Sequence, residues 1–251
     1  MKVAASEQTV ISFSDVVRSE FTKIISHPTI VLFIIITTIM NLGLAILDTS
    51  GLVFYPGNDM PPSTVADFGL VMFAPIYAFL ILPVYAASSE YQEGQNRMTL
   101  ITVPNRQLLM KGKIVAVGLA VLCGILVTII PSRLIIHIFS DVDMSCILID
   151  LTRWTAVYLL MSIIAFSIAG LTRSAIVPLS ILIMIPIFIA TGILQLPEGL
   201  RFLPDQASMS LLGTPAYEVT ELSPWIAFFT LFVWGVICAI AYWLSFLRRD
   251  S

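Results

Sequence analysis

Six apolar runs, each about as long as a membrane span, dominate this sequence. A helix needs about 20 apolar residues to cross a hydrocarbon layer roughly 30 Å thick, whereas a soluble core helix needs only one apolar face. The central stretches of the runs contain no Asp, Glu, Lys, Arg or His, and the runs cover 28–47, 68–87, 114–139, 151–171, 175–196 and 224–247. The sequence therefore predicts an all-α integral membrane protein with six transmembrane helices in a single domain, 1–251.

The composition agrees with this class. Of the 251 residues, 58% are hydrophobic and 12% are charged, whereas soluble domains carry about 25% charged residues. The net charge of -3 argues against a nucleic-acid partner, because no basic stripe is present to neutralise phosphates. Cys123, Cys146 and Cys238 have no CxxC spacing, so we expect packing residues rather than a disulfide framework or a metal site.

The cations divide unevenly between the two sides of the six runs. Arg133, Arg153 and Arg201 fall on one side. The other side carries Lys2, Arg18, Lys23, Arg97, Arg106, Lys111, Lys113, Arg173, Arg248 and Arg249. By the positive-inside rule, both termini are predicted to be cytoplasmic.

An amphipathic helix is predicted before the first run, over 12–26. Ser12 and Asp15 have the spacing of a capping box. The expected apolar face comprises Phe13, Val17, Phe21 and Ile24 or Ile25. The expected polar face comprises Asp15, Arg18, Ser19, Thr22 and Lys23. We interpret it as an interfacial helix on the inner leaflet; the alternative is a short soluble amphipathic helix packed on another domain.

Two of the connections between the runs are long and have a composition unlike that of a simple turn. The inner loop 88–113 contains four of the inner cations together with Glu90 and Glu93. The outer segment 196–223 mixes three prolines with apolar and polar residues. This mixture predicts short helices that dip into the outer interface, with irregular backbone shielded by protein.

The sequence offers no means of driving transport by itself. Ion-coupled carriers and intramembrane hydrolases hold ionisable groups at depth, and the centres of these runs have none. The chain also lacks a GxxxxGK[ST] phosphate loop, so ATP would have to be bound by a partner. We therefore predict no catalytic residue in this chain.

Arg133, His137 and Asp141 stand at a spacing of four, which places them on one helical face. Arg133 follows Lys113 by about 30 Å of helix, so it is expected near the outer interface. Two interpretations stay open: snorkelling with a local ion pair, or an outer gate or exit for a substrate.

The inner loop carries a family resemblance. The run Glu90-Tyr91-Gln92-Glu93-Gly94-Gln95 is followed by Pro104-Asn105-Arg106 and, seven residues later, by Lys113. This order and spacing resemble the ABC-2 type permease family, in which an ExxxG(T) element and a Pro-x-Arg element precede a Lys that opens the third span. Gln95 stands where the family often has Thr. The N-terminal helix, the six runs and the Leu203-Pro204-Asp205-Gln206 segment extend the resemblance over most of the chain.

The resemblance implies the permease subunit of an ATP-driven exporter in the bacterial cytoplasmic membrane. ATP and Mg would be bound by two copies of a separate ATP-binding subunit, and a second permease subunit would complete a homodimer or heterodimer. Short re-entrant outer helices would lie between spans five and six. The implied coupling residues are Glu90, Glu93, Gly94, Arg97, Pro104, Arg106 and Lys113. For Glu90 and Glu93 the alternative is a solvated, charged helix end.

The cargo is left open by the sequence. Permeases of this length resemble those of drug, bacteriocin and lantibiotic self-protection exporters, and apolar spans suit an amphipathic or apolar cargo. A lipid or glycan exporter is a further option. The competing classes are a non-transporting membrane scaffold or sensor subunit, a membrane-embedded enzyme and an ion-coupled carrier.

Overall fold

The computed structural model describes residues 12–52, 69–92, 106–139, 144–191, 197–215 and 220–249. Within these ranges the regular structure is helical and no strand occurs, so the predicted all-α class is confirmed for the described residues. The helices are α1 (Phe13–Ser26), α2 (Pro28–Thr49), α3 (Gly69–Phe73), α4 (Pro75–Phe79), α5 (Ile81–Gln92), α6 (Arg106–Thr128), α7 (Ile130–Phe139), α8 (Met144–Thr172), α9 (Ile176–Ala190), α10 (Pro197–Leu200), α11 (Pro204–Leu212) and α12 (Pro224–Arg249).

Five helical stretches are long and apolar enough to cross a membrane. They are Pro28–Thr49, Gly69–Ser89, Gln107–Phe139, Met144–Thr172 and Pro224–Phe246. These stretches correspond to the first four predicted spans and the sixth. The fold is therefore compatible with a multi-pass membrane protein.

The fifth predicted span, 175–196, contains a shorter apolar helix. α9 has 15 residues, which at 1.5 Å per residue gives about 22 Å, less than the roughly 30 Å of a hydrocarbon core. Residues 192–196 lie outside the described ranges. The six-span count stays a prediction.

α1 begins as the sequence predicts and packs on the chain itself. Ser12 and Asp15 form the reciprocal capping box. Ile24 is buried, and Val17 and Phe21 are partly buried, as expected, whereas Phe13 is exposed. The face is completed by Val16 and Glu20, which are also buried. This face packs against α6.

The second predicted span, 68–87, is interrupted twice rather than continuous. Turns at Ala74 and Leu80 separate α3, α4 and α5. Pro75 opens α4, and a proline supplies no backbone N–H to the helix ladder. Leu80 N still donates to Ile76 O at 2.8 Å, so the second break keeps a helical hydrogen bond.

The third and fourth long helices begin earlier than their apolar runs. α6 starts at Arg106 rather than Ile114, so the inner loop predicted over 88–113 is helical at both ends. Leu109 and Met110 are buried in this added part of α6. α8 likewise starts at Met144 rather than Leu151. Both predicted runs were begun after a charged residue, Lys113 or Asp150. The helices extend past these charges, because charged side chains near a membrane surface can reach water from within a helix.

α8 forms the centre of the fold. It packs against α5, α9, α11 and α12, and Val157, Tyr158, Met161, Ala165 and Ala169 are fully buried along it. In contrast, α2 and α12 expose large apolar side chains over much of their length. Such exposed apolar faces are typical of helices that contact lipid or another subunit.

Short helices occur between the last two predicted spans, as expected. α11 packs against α3, α8, α9 and α12, and every residue from Pro204 to Leu211 is buried. Its C-terminal end lies beside Gly69, where an added Cβ would approach Thr214 O to 2.6 Å. The re-entrant arrangement of these helices stays a prediction.

Candidate functional site

A polar cluster joins α7 to the first turns of α8. The Arg133 guanidinium donates from Nε to Asp150 Oδ2 at 2.8 Å and from Nη2 to Asp150 Oδ1 at 3.1 Å. Both side chains are mostly buried, with exposed fractions of 16% and 21%. A two-point bond between guanidinium and carboxylate fixes orientation as well as distance.

His137 binds the same carboxylate. Its Nε2 lies 3.0 Å from Asp150 Oδ2. An ionised carboxylate only accepts hydrogen bonds, so Nε2 must carry the hydrogen and donate it. The second ring nitrogen, Nδ1, is buried and has no hydrogen-bond partner among the described residues. The cluster therefore retains one unused nitrogen.

Aromatic rings form the inner wall of this cluster. The Arg133 guanidinium lies over the Trp154 ring, 4.8 Å from its centroid. The Trp154 and Tyr158 rings are 6.1 Å apart, and Phe79 meets Tyr158 edge-on at 4.9 Å. The cation is thus held between a carboxylate and an aromatic face, both of which stabilise positive charge.

The predicted outer trio is brought together only in part. Arg133 and His137 share one site, whereas Asp141 lies outside the described residues. The acid that binds them is Asp150, which the sequence interpretation placed outside the fourth span. The sequence signal for this pair was the position of Asp150, directly before the fourth predicted run and a short distance along the chain after Arg133 and His137.

Most of the predicted coupling residues lie in or beside residues 93–105, which are outside the described part of the structure. Glu93, Gly94, Arg97 and Pro104 are outside the described residues. Glu90 belongs to α5 and Arg106 opens α6, and the side chains of both are outside the described part of the structure. Lys113 lies in α6 and is buried, with 4% of its surface exposed.

The helices that flank this segment are firmly packed. Ser88 is fully buried near the end of α5, and α6 contacts both α1 and α5. Val16 of α1 lies against Gly112 of α6, where an added Cβ would approach Val16 Cγ1 to 2.6 Å. Glycine is therefore required for this close approach of the two helices.

The turn between α8 and α9 also contacts the end of α5. Arg173, in the turn between α8 and α9, has a positive φ of 52°. Its guanidinium lies over the Tyr91 ring of α5, 5.1 Å from the centroid. Sequence reasoning identified Arg173 as an inner cation but assigned it no contact.

A buried polar group lies at the start of α11. Gln206 Nε2 donates to Asp205 Oδ2 at 3.0 Å, and Gln206 Oε1 makes no hydrogen bond with the described residues. Burial raises the pKa of the Asp205 carboxyl, and the hydrogen bond from Gln206 opposes that rise.

Hydrogen bonds tie the α11 region to its surroundings. Ser210 Oγ donates to Thr220 O at 3.1 Å and accepts from Leu222 N at 3.3 Å. Trp234 Nε1 of α12 donates to Phe202 O at 2.8 Å. The connection between the last two predicted spans is thus held at several points.

Neither cluster has the composition of a metal centre. In the part of the chain that the structure describes, no group of three His, Cys, Asp or Glu side chains is arranged to hold a metal ion. Comparison of the sequence with protein-family models and with curated proteins gives no match.

Proposed function

We propose that this chain is the permease subunit of an ATP-driven exporter of the ABC-2 type. In this proposal the chain spans the bacterial cytoplasmic membrane with both termini in the cytoplasm. It pairs with a second permease subunit and with two ATP-binding subunits that bind ATP and Mg. The five long apolar helices and the ten-to-three division of cations support this orientation.

One observation carries the proposal: the inner segment with the family-like residues is anchored at both ends. Ser88 and Lys113 are both buried, and Arg173 covers Tyr91 at the beginning of the segment. A docking element must transmit force from a partner to the helices, and the packed ends of α5 and α6 would allow such transmission. This packing supports the docking proposal.

We propose that Glu90, Glu93, Gly94, Arg97, Pro104 and Arg106 form the contact with the ATP-binding subunit. Lys113 would then hold the inner end of α6 at the base of this contact. An exposed charge pair contributes only about 0.2–1 kcal/mol, so reversing two charges tests the contact better than removing one.

The test is affinity purification of the full chain from its native membranes, with ATPase assay and mass spectrometry. The parent should retain a protein of about 25–35 kDa with a phosphate loop, the size of one domain. Glu90→Lys with Glu93→Lys should lose it. Glu7→Lys with Asp250→Lys makes the same charge change near the termini and should retain it.

Two results would contradict the proposal. Parent protein that purifies alone, without MgATP hydrolysis, would favour the scaffold or sensor class. Equal ATPase retention by the two double variants would remove the assigned residues from the contact.

We further propose an amphipathic or apolar cargo, such as a drug, an antimicrobial peptide or a lipid-like molecule. The central stretches of the predicted spans carry no ionisable residue. A charged cargo there would meet a desolvation penalty of several kcal/mol without a countercharge. We propose that α10 and α11 are short re-entrant helices. The cargo would leave through an outer exit near Arg133 and His137.

A further inference from the structure

A partly polar cavity lies where α1 meets the start of α2 and the end of α5, apart from the Arg133 cluster and from α11. Its volume is about 240 Å³. A cavity of roughly 150 Å³ already holds a benzene ring, so this one has room for a small polar group. Its polar residues are Glu20, Lys23, Ser26, His27, Tyr85 and Ser89.

The cavity lies at the level where two apolar stretches end. Pro28–Thr49 begins beside it, and Gly69–Ser89 ends beside it. α1, which forms its third side, packs on α2 and has the amphipathic sequence of a helix at a membrane surface. Since both stretches enter the hydrocarbon layer only beyond this level, the cavity lies at the depth of the lipid headgroups.

Three hydrogen-bond donors of the cavity have no partner among the described residues. His27 Nδ1 accepts from Thr29 N at 3.3 Å, so the hydrogen of the neutral ring is on Nε2. That Nε2, the Tyr85 hydroxyl and the Ser89 hydroxyl make no hydrogen bond there, and none of them is sealed from solvent. The His27 and Tyr85 rings are 4.4 Å apart. Such a group of donors suits an acceptor with several oxygens, such as a phosphate.

A buried carboxylate adds a second requirement. Glu20 Oε1 binds Lys23 Nζ, and the Glu20 side chain is 5% exposed against 48% for Lys23. Glu20 Oε2 makes no hydrogen bond with the described residues. The Glu20–Lys23 pair is neutral overall, so it does not favour a ligand with a net negative charge. A ligand that carries both a phosphate and an ammonium would match the donors and the carboxylate.

Apolar surface continues from the cavity along α2. Ile30 and Ala86 line the cavity itself. Val31 and Leu32, near the start of α2, expose their side chains. Acyl chains would cover this surface, which a soluble phosphate ester would leave exposed. The arrangement therefore favours a membrane lipid over a free phosphate.

We propose that this cavity binds the headgroup of a phospholipid with a primary ammonium, such as a phosphatidylethanolamine. Its phosphate would accept hydrogen bonds from His27, Tyr85 and Ser89. Its ammonium would donate to Glu20. Binding requires this chain alone, and only the assignment to the inner leaflet rests on the proposed orientation.

The test is native mass spectrometry of the purified full chain with an equimolar mixture of three phospholipids that share the same acyl chains. The three are phosphatidylethanolamine, phosphatidylcholine and phosphatidylglycerol. The parent should retain phosphatidylethanolamine about tenfold more than either of the others, because neither a trimethylated ammonium nor a glycerol can make a charged hydrogen bond to Glu20. Glu20→Gln should bring this ratio close to one.

Two pairs of hydroxyls supply matched variants. Tyr85→Phe with Ser89→Ala removes two donors that make no internal hydrogen bond, and it should lower phosphatidylethanolamine retention at least about tenfold. Tyr77→Phe with Ser162→Ala removes two hydroxyls outside the cavity that are buried and also lack a partner among the described residues. That control should retain the lipid as the parent does. Both double variants are compared at equal monodispersity and equal helical signal.

Three results would overturn the proposal. Equal retention of the three phospholipids would show lipid contact without headgroup recognition. Equal retention by the two double variants would place the lipid elsewhere. Displacement of the lipid by an equal concentration of inorganic phosphate or glycerophosphoethanolamine would identify a site for a soluble phosphate. None of these results bears on whether the chain couples to an ATPase.

Discussion

Val16 of α1 and Gly112 of α6 are in direct contact, and the contact leaves no room for a methyl group on residue 112. A Cβ there would approach Val16 Cγ1 to 2.6 Å and Val16 Cβ to 3.2 Å. Valine is stiff about χ1, so it cannot swing away from the added atom.

Gly112→Ala is expected to weaken the packing of α1. Overpacking costs about 1–3 kcal/mol, more than the roughly 0.5–1 kcal/mol that Ala gains over Gly within a helix. The apparent melting temperature in detergent should fall, and proteolysis within α1 should accelerate.

Gly118→Ala in the same helix is the control, because no atom lies within 4 Å of its Cβ position. It should melt at or slightly above the parent temperature. Val16→Ala combined with Gly112→Ala should recover part of the loss. Identical melting of the two glycine variants would contradict the contact.

Asp150→Asn is expected to destabilise the protein through Arg133. The substitution removes the charge that the buried guanidinium binds. Breaking a fully buried pair costs about 3–5 kcal/mol. This pair is partly exposed, so we expect the free energy of unfolding to fall by roughly 2 kcal/mol, as evaluated from the shift in melting temperature. The exposed Glu221→Gln should change stability by less than about 0.5 kcal/mol. If Asp150→Asn melted like Glu221→Gln, the ion pair would have no structural role.

Asp205 should make stability depend on pH. Burial raises the pKa of its carboxyl above its ordinary value of 3.8, so the folded chain binds more protons than the unfolded chain just above pH 3.8. Stability should therefore fall as pH rises from there through the folded-state pKa, and then level off.

Asp205→Asn keeps an acceptor for the Gln206 amide and removes the titration. Its melting temperature should exceed that of the parent at neutral pH, and the difference should shrink as pH falls through the folded-state pKa toward about 4. A difference that does not vary with pH would contradict the raised pKa.

Cys146 should be the cysteine that reacts most readily with an impermeant thiol reagent applied from outside. Cys238 is buried; Cys123 is exposed but lies midway along the apolar stretch Gln107–Phe139, where lipid would shield it. Cys146 is in the first turn of α8 on the predicted outer side. Reaction from outside at cysteines engineered into residues 97–111 would instead reverse the predicted orientation.

The long helices and the start of α1 were predictable because each depends on local sequence. An apolar run specifies a long helix without reference to any partner. The Ser12 and Asp15 cap likewise involves residues three positions apart.

The interruptions and the buried charges were less accessible from the sequence. The fourth span was predicted from a charge-free run that begins at residue 151. Asp150 was therefore left out of the predicted helix, and its bond to Arg133 was missed. Glu20 was absent from the predicted apolar face of α1, because its pairing with Lys23 is invisible to a hydrophobic pattern. The burial of Asp205 depends on how α11 packs among distant helices, which no local pattern encodes.

The bond between Arg133 and Asp150 also has an electrical consequence. A transmembrane voltage of 100 mV does about 2.3 kcal/mol of work on one elementary charge that crosses the whole membrane. Because the guanidinium and the carboxylate move together, their charges cancel and their joint displacement carries no gating charge. Any rearrangement of α7 and α8 as a unit is therefore insensitive to voltage as far as this pair is concerned.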